Sequence, residues 1–250
     1  MHRAAYDRLG LDWSYDAYDV DERGLLGFVG GLDESWRGLS LTMPLKRTVL
    51  PLLDDVSAVV REVGAANTVI LDAGRLSGDN TDVPGVVAAL AERGVTRVHA
   101  ATILGGGATA ESALLALRWL GLSSVRVLVR DPARAEHLVG RGVAAGLDVT
   151  VGRLGDDPPA ADVVVSTVPA AAVAESAERL MSQSELVFDA VYDPWPTPLT
   201  ERAADLGRPV VTGIDLLAHQ AVLQVEIMTG HDVPVDVLRN PALVALGSGA

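Results

Sequence analysis

The groups most able to do chemistry in this chain lie in Leu41-Thr42-Met43-Pro44-Leu45-Lys46, in Asn67-Thr68 and in Gly78-Asp79-Asn80-Thr81-Asp82. Within about forty residues they set out a hydroxyl, an amine, a carboxamide and a carboxylate on sequence that reads as loop or helix start. An amine and a carboxylate so placed suit proton transfer to or from an alcohol or ketone. Pro44 reads as the first residue of a helix, which puts Lys46 in the first turn. A cation there opposes the positive end of the helix macrodipole, which favours loss of its proton. Each group also has a bland role. Lys46 suits a solvated surface, Asn67 suits a left-handed turn, and Asp82, just ahead of Pro84 and the apolar Val86-Val87-Ala88-Ala89-Leu90, suits a helix cap.

Further along, Gln220 has Leu216, Leu217, Leu223 and Gln224 as its helical neighbours. That mostly apolar face turns the amide inward, where Gln224 and backbone groups, or a polar ligand, must satisfy it. His219 sits one position round and reads as an interface residue. No His, Asp or Glu cluster has ligand spacing, so no metal is expected.

These groups need elements to hold them. Ala, Val and Leu dominate a composition that is 49% hydrophobic, which suits helices layered on a parallel sheet. From Pro84 to about Gly213 the chain alternates strand and helix. The strands are the apolar runs 99–104, 125–129, 163–166 and 186–189, with Val210-Val211 a short fifth. Continuous apolar strands separated by helix-length segments signify a parallel sheet covered on both faces. Helices are expected at about 108–119, 132–141, 171–181, 199–206, 215–229 and 235–246. Ahead of this module, short β-like runs such as Thr68-Val69-Ile70-Leu71 alternate with helical segments. The fold class is therefore α/β in two domains, 1–83 completed by helices at 214–250, and a Rossmann-like sheet domain at 84–213.

The absence of cysteine removes disulfides, thiolate catalysis and Cys-based zinc sites. A net charge of −13 argues against a nucleic-acid surface, although a small anion can still find a locally positive cleft. No apolar run is long enough to span a membrane, and the first residues hold no signal core, so a cytoplasmic protein is expected.

Leu104-Gly105-Gly106-Gly107-Ala108-Thr109-Ala110 follows a strand and opens a helix, giving Gly105-x-Gly107-x-x-Ala110. Glycines permit the tight turn and the close approach of a pyrophosphate to the helix N-terminus, and a small third residue lets helix and strand pack. At the end of the second strand, Val129-Arg130-Asp131-Pro132-Ala133-Arg134 offers two guanidiniums for a ribose 2′-phosphate, which favours NADP. Asp131 could accept from a ribose 2′-hydroxyl, or simply cap the helix that Pro132 begins.

Together these residues resemble the shikimate dehydrogenase family. The matching pieces are Thr42-Met43-Pro44-Leu45-Lys46, Gly64-Ala65-Ala66-Asn67-Thr68, Asp79-Asn80-Thr81-Asp82, the Gly105 loop, Ser166-Thr167-Val168-Pro169, Val191-Tyr192-Asp193-Pro194 and Gly213 through Gln220, in family order across nearly the whole chain. The resemblance implies an enzyme that reduces 3-dehydroshikimate reversibly to shikimate, with substrate and NADP in a cleft between two domains. It implies catalytic roles for Lys46 and Asp82, substrate contacts from Asn67 and Gln220, and groups near the substrate carboxylate at Thr42 and Tyr192. Gly105, Gly107, Ala108, Arg130, Arg134, Thr167 and Gly213 fall at cofactor positions. The implied partners are a small-molecule substrate and NADP, with neither nucleic acid nor membrane, in a monomer or homodimer.

Three departures stand out. The family's serine-rich substrate motif lies just upstream of the region matching Met1-His2-Arg3-Ala4-Ala5-Tyr6, so the native product is expected to carry a preceding strand and two carboxylate-binding serines. Val129 replaces the asparagine usual before the cofactor arginine. Asp215 stands where glycine is often found near the nicotinamide, and its charge could tune cofactor affinity or substrate choice. The rival readings are a quinate or aminoshikimate dehydrogenase using NAD or NADP, and a non-catalytic ligand-binding protein on the same scaffold.

Overall fold

A computed structural model of the protein describes residues 1–192 and 195–247. The side chain of Arg134 lies outside what is described, as do Asp193 and Pro194. The chain divides into two compact units, Met1–Gly85 with Leu217–Ala250, and Val86–Leu216.

The first unit opens with helices α1 (His2–Leu9) and α2 (Leu25–Gly30), then strand β1 (Gly38–Ser40), the one-turn helix α3 (Leu45–Thr48), β2 (Asp55–Val56), α4 (Ala58–Val63), β3 (Thr68–Asp72), β4 (Arg75–Asp79) and the first turn of α5 (Asp82–Glu92), whose residues from Val86 onward belong to the second unit. Its sheet runs β1-β3-β4-β2. Pairing is antiparallel except between β2 and β4. Leu39, Leu45, Val49, Val60, Ala66 and Val69 close one core on this sheet. Burying Leu45 fixes the turn that carries Lys46. Among the described residues no strand pairs with the outer edge of β1; with residues 12–21 that edge lines an open groove of about 1370 Å³.

The second unit holds β5 (Ala100–Leu104), α6 (Ala108–Trp119), β6 (Ser124–Val129), α7 (Glu136–Ala144), β7 (Asp148–Arg153), β8 (Ala161–Ser166), α8 (Ala177–Ser182), β9 (Ser184–Asp189), α9 (Pro198–Asp205) and β10 (Val210–Thr212). All six strands are parallel, in the order β10-β9-β8-β5-β6-β7. Strand order reverses between β5 and β8, the switch point at which doubly wound sheets bind ligands beyond their carboxyl ends. Leu104, Leu128, Val164, Val187, Leu180, Met181 and Leu199 form a core between sheet and helices.

The sequence reading missed β7. Its Asp148-Val149-Thr150-Val151 alternates polar and apolar residues because it is an edge strand covered on one face, whereas a continuous apolar run marks the central strands. The helix expected at 171–181 is instead two short 3₁₀ turns followed by α8.

Two more helices follow, α10 (Gly213–Thr229) and α11 (Val235–Gly247). From Leu217 onward α10 belongs to the first unit, where Ala221, Val225, Val233 and Leu238 pack on Ala5 and Tyr6 of α1. No described helix is long and apolar enough to cross a membrane.

Candidate active site

In the first unit, Lys46 Nζ donates to Asp82 Oδ2 at 2.8 Å. The pair is partly buried, with 22% and 11% of the two side chains exposed, so solvent screens it less than a surface ion pair. Two local features bring the groups together. Ala66 N donates to the Lys46 carbonyl at 2.8 Å, tying α3 to the chain entering β3. Asn80 Oδ1 accepts from the backbone N–H of Asp82 at 3.0 Å, so Asn80 caps α5 and the Asp82 carboxylate is left for Lys46. The expectation that Asp82 caps its own helix is thereby corrected. So is the helix-dipole argument for Lys46, because α3 is a single turn with four residues and has little macrodipole.

Asn67 is no left-handed turn residue; Ala73 is the non-glycine residue with positive φ among those described. Only 2% exposed, Asn67 donates from Nδ2 to Asp82 Oδ1 at 3.0 Å and to Thr81 Oγ1 at 2.9 Å. Its Oδ1 accepts from Thr81 N at 2.9 Å and from Thr68 Oγ1 at 2.8 Å. Four bonds thus fix both faces of the amide. Lys46, Asp82 and Asn67 are brought together; Thr42 is exposed four residues upstream of Lys46. Gln220 is half-buried on α10, and none of the hydrogen bonds described involves its side chain. Gln224 does not serve it. The Gln224 amide instead bonds Ser40, Asn67 and Thr68. His219 faces Arg239 of α11 at 3.5 Å.

In the second unit, Gly105 has φ of 106°, and a Cβ there would lie 2.4 Å from Thr167 Oγ1. Thr167 in turn donates to the Leu104 carbonyl at 2.8 Å, so the end of β8 closes directly over the glycine turn. Gly107 is the N-cap of α6, and no side chain caps this helix, which begins at Ala108. The space beside Gly107 is open. An uncapped helix start facing open space presents free N–H donors, the arrangement that receives a pyrophosphate.

Arg130 is exposed just past β6. Asp131 accepts from Ala133 N at 3.2 Å ahead of Pro132, so it serves as the cap. Asp215 also caps: its Oδ2 accepts from Thr212 N and Oγ1 at 2.9 and 3.0 Å, and from Arg93 Nη2 at 3.1 Å. Its charge is therefore neutralised locally. Tyr192 is exposed and follows Asp189, a fully buried carboxylate that accepts from Thr197 Oγ1 at 2.6 Å and Val191 N at 3.2 Å. Burial holds the Asp189 carboxyl above the usual range, against the Thr197 hydrogen bond. Gly213 lies where a Cβ would meet the Ala190 carbonyl at 2.3 Å and the Tyr192 ring at 2.9 Å. Asp189 and Thr197 were not singled out from sequence, although Thr197-Pro198 is a readable helix start, and Gln224 was named only as a partner for Gln220. Among the described residues no group of His, Asp and Glu could hold a metal.

A six-stranded doubly wound sheet with an uncapped glycine-rich helix start, in a chain that also holds a Lys–Asp pair, defines the class of dinucleotide-dependent oxidoreductases. Residues 1–69 match the shikimate dehydrogenase substrate binding domain, and residues 213–240 the shikimate 5′-dehydrogenase C-terminal domain. Shikimate dehydrogenase (NADP(+)) of Thermus thermophilus is 35% identical over 99% of the chain and 93% of its own length. The crystal structure of Mycobacterium tuberculosis shikimate dehydrogenase is 37% identical, with a TM-score of 0.84 over 98% of this chain and 93% of that one. That of shikimate 5-dehydrogenase from Thermus thermophilus, in complex with NADP(H) and shikimate, is 32% identical, with a TM-score of 0.82 over 98% and 93%. The chain belongs to the shikimate dehydrogenase family.

Proposed function

We propose that the protein interconverts 3-dehydroshikimate and shikimate with NADP as cofactor, the first unit holding substrate and the second the dinucleotide. The observation that carries this reading is the Lys46–Asp82 pair, locked at 2.8 Å by an amide that faces it from Asn67. NADPH, when bound, supplies the hydride. As the ketone is reduced, negative charge grows on its oxygen, and the Lys46 ammonium donates the proton that neutralises it. Asp82 orients that ammonium; in the oxidising direction the Lys46 amine takes the proton back. Asn67 and Gln220 meet substrate hydroxyls, and Thr42 and Tyr192 the carboxylate end. The α6 start at Gly105, Gly107 and Ala108 holds the pyrophosphate, Arg130 and Arg134 the 2′-phosphate, while Thr167 and Gly213 border the nicotinamide.

Steady-state assays of shikimate, quinate and aminoshikimate, each with NADP and NAD, test the proposal. The expected outcome is the highest kcat/KM for shikimate with NADP. No turnover of that pair, alongside clear turnover of another, overturns it.

A further inference from the structure

Gln224 lies on α10, 3% exposed, and its amide reaches strands far away in sequence. Nε2 donates to Thr68 Oγ1 at 3.0 Å and to the Asn67 carbonyl at 3.3 Å, while Oε1 accepts from Ser40 Oγ at 3.0 Å. A buried amide in a core would be satisfied by any polar neighbours. What distinguishes this one is the direction it imposes on the bonds beyond it.

A hydroxyl has one proton. Because Gln224 Nε2 donates into Thr68 Oγ1, the Thr68 proton is free to point at Asn67 Oδ1, 2.8 Å away. Asn67 Oδ1 also accepts from Thr81 N, so two donors hold that oxygen on one side. The Asn67 NH₂ must then face Asp82 Oδ1 at 3.0 Å, which leaves Oδ2 turned to Lys46 Nζ at 2.8 Å. Flipping the Asn67 amide would set its oxygen against the Asp82 carboxylate, acceptor against acceptor. The chain of bonds from Gln224 through Thr68 and Asn67 to Asp82 is therefore polarised in one sense, and Ser40 fixes the Gln224 amide at its origin. Every group in it belongs to the first unit.

We infer that Gln224 is a positioning residue for the Lys46–Asp82 pair, acting through the Thr68 hydroxyl and the Asn67 amide. The inference rests on the reading of that pair as the proton-transfer site, and the test separates the two. Gln224→Met keeps the length of the side chain and removes donor and acceptor. Gln224→Glu keeps the shape but can only accept when ionised, so the Thr68 proton turns towards it and away from Asn67.

The test pairs side-chain amide NMR of Asn67, assigned by Asn67→Asp, with kcat and KM across pH for both variants in the full-length protein. Glu226→Gln, at an exposed position of the same helix, is the control. In the wild type the buried, hydrogen-bonded Asn67 NH₂ protons should exchange slowly. Both variants should shift these signals and speed their exchange. Both should also lower kcat on the order of tenfold or more, as displacing a reacting group does, with a smaller change in KM and a displaced pH profile. A purely structural role would lower the melting temperature and leave the Asn67 signals of both folded variants unmoved, which overturns the inference. If the Asn67 signals move and kcat does not, positioning stands and the assignment of proton transfer to Lys46–Asp82 falls.

Discussion

Thr167 closes over Gly105 so tightly that a single added methyl group at Gly105 would stand 2.4 Å from its hydroxyl oxygen. Two independent penalties thus protect this glycine. The backbone φ of 106° disfavours any side chain, and the Thr167 hydroxyl occupies the space. Gly105→Ala should cost about 2 kcal/mol or more in stability and weaken NADP binding, read by denaturant unfolding and by fluorescence titration. Adding Thr167→Ala relieves the collision and leaves the backbone strain, so the double variant should recover only in part. Full recovery would mean the backbone conformation carries no penalty.

Lys46 is the donor in the proposed reaction, and its removal leaves the mostly buried Asp82 carboxylate with Asn67 and Thr81 as neighbours. Lys46→Ala should lower kcat by about a hundredfold or more, in line with general acid–base contributions, with a smaller effect on KM. NADP affinity, measured without substrate, should be unchanged because the glycine loop lies in the other unit. A fully active variant excludes Lys46 as the proton donor.

Arg130 and Asp131 are neighbours with opposite expectations. The exposed Arg130 guanidinium is free to meet a 2′-phosphate, while the Asp131 carboxylate is occupied as a cap. Arg130→Ala should raise KM for NADP roughly ten- to a hundredfold, the loss of one charged hydrogen-bonding group, and leave KM for NAD alone. Asp131→Ala should lower stability by about 1 kcal/mol, as cap deletions do, without changing the ratio of NADP to NAD activity. A selective loss of NAD activity in Asp131→Ala would instead place that carboxylate on a ribose.

Lys46, Asp82 and Asn67, which the fold brings together, were picked out in sequence because polar groups cluster there on short loop-like segments, and the Gly105 turn because its glycines follow a strand and open a helix. The central strands were legible for a similar reason, since burial on both faces leaves continuous apolar runs such as Val163-Val164-Val165. Three things were hidden. β7 looks like any half-polar segment, because an edge strand needs only one apolar face. Gln224 reads only as a candidate partner for Gln220, because its actual partners Thr68 and Ser40 are 156 and 184 residues away. Asp215 looks like a free charge, because Arg93 stands 122 residues away, although the spacing of Thr212 and Asp215 is that of a capping box.

His2 offers a test of the first unit through pH. The imidazole is 7% exposed, stacks on Tyr15 at 4.1 Å between ring centroids and has no partner at Nε2. Burial lowers its pKa from 6.5 to about 4. The folded protein therefore binds fewer protons than the unfolded chain between those values, and stability rises with pH across that window. The stabilisation is present above the unfolded pKa of 6.5 and lost as pH falls through about 4, a difference of roughly 3 kcal/mol, with roughly 2 of it gone by pH 5. His2→Phe keeps a ring against Tyr15 and does not titrate. Urea unfolding followed by tryptophan fluorescence, to which Trp13 packed on Tyr6 at 5.4 Å contributes, should show wild type losing about 2 kcal/mol more than the variant between pH 7 and pH 5. Equal losses in the two proteins would mean that His2 is protonated in the fold and that its lowered pKa is not a property of the native state.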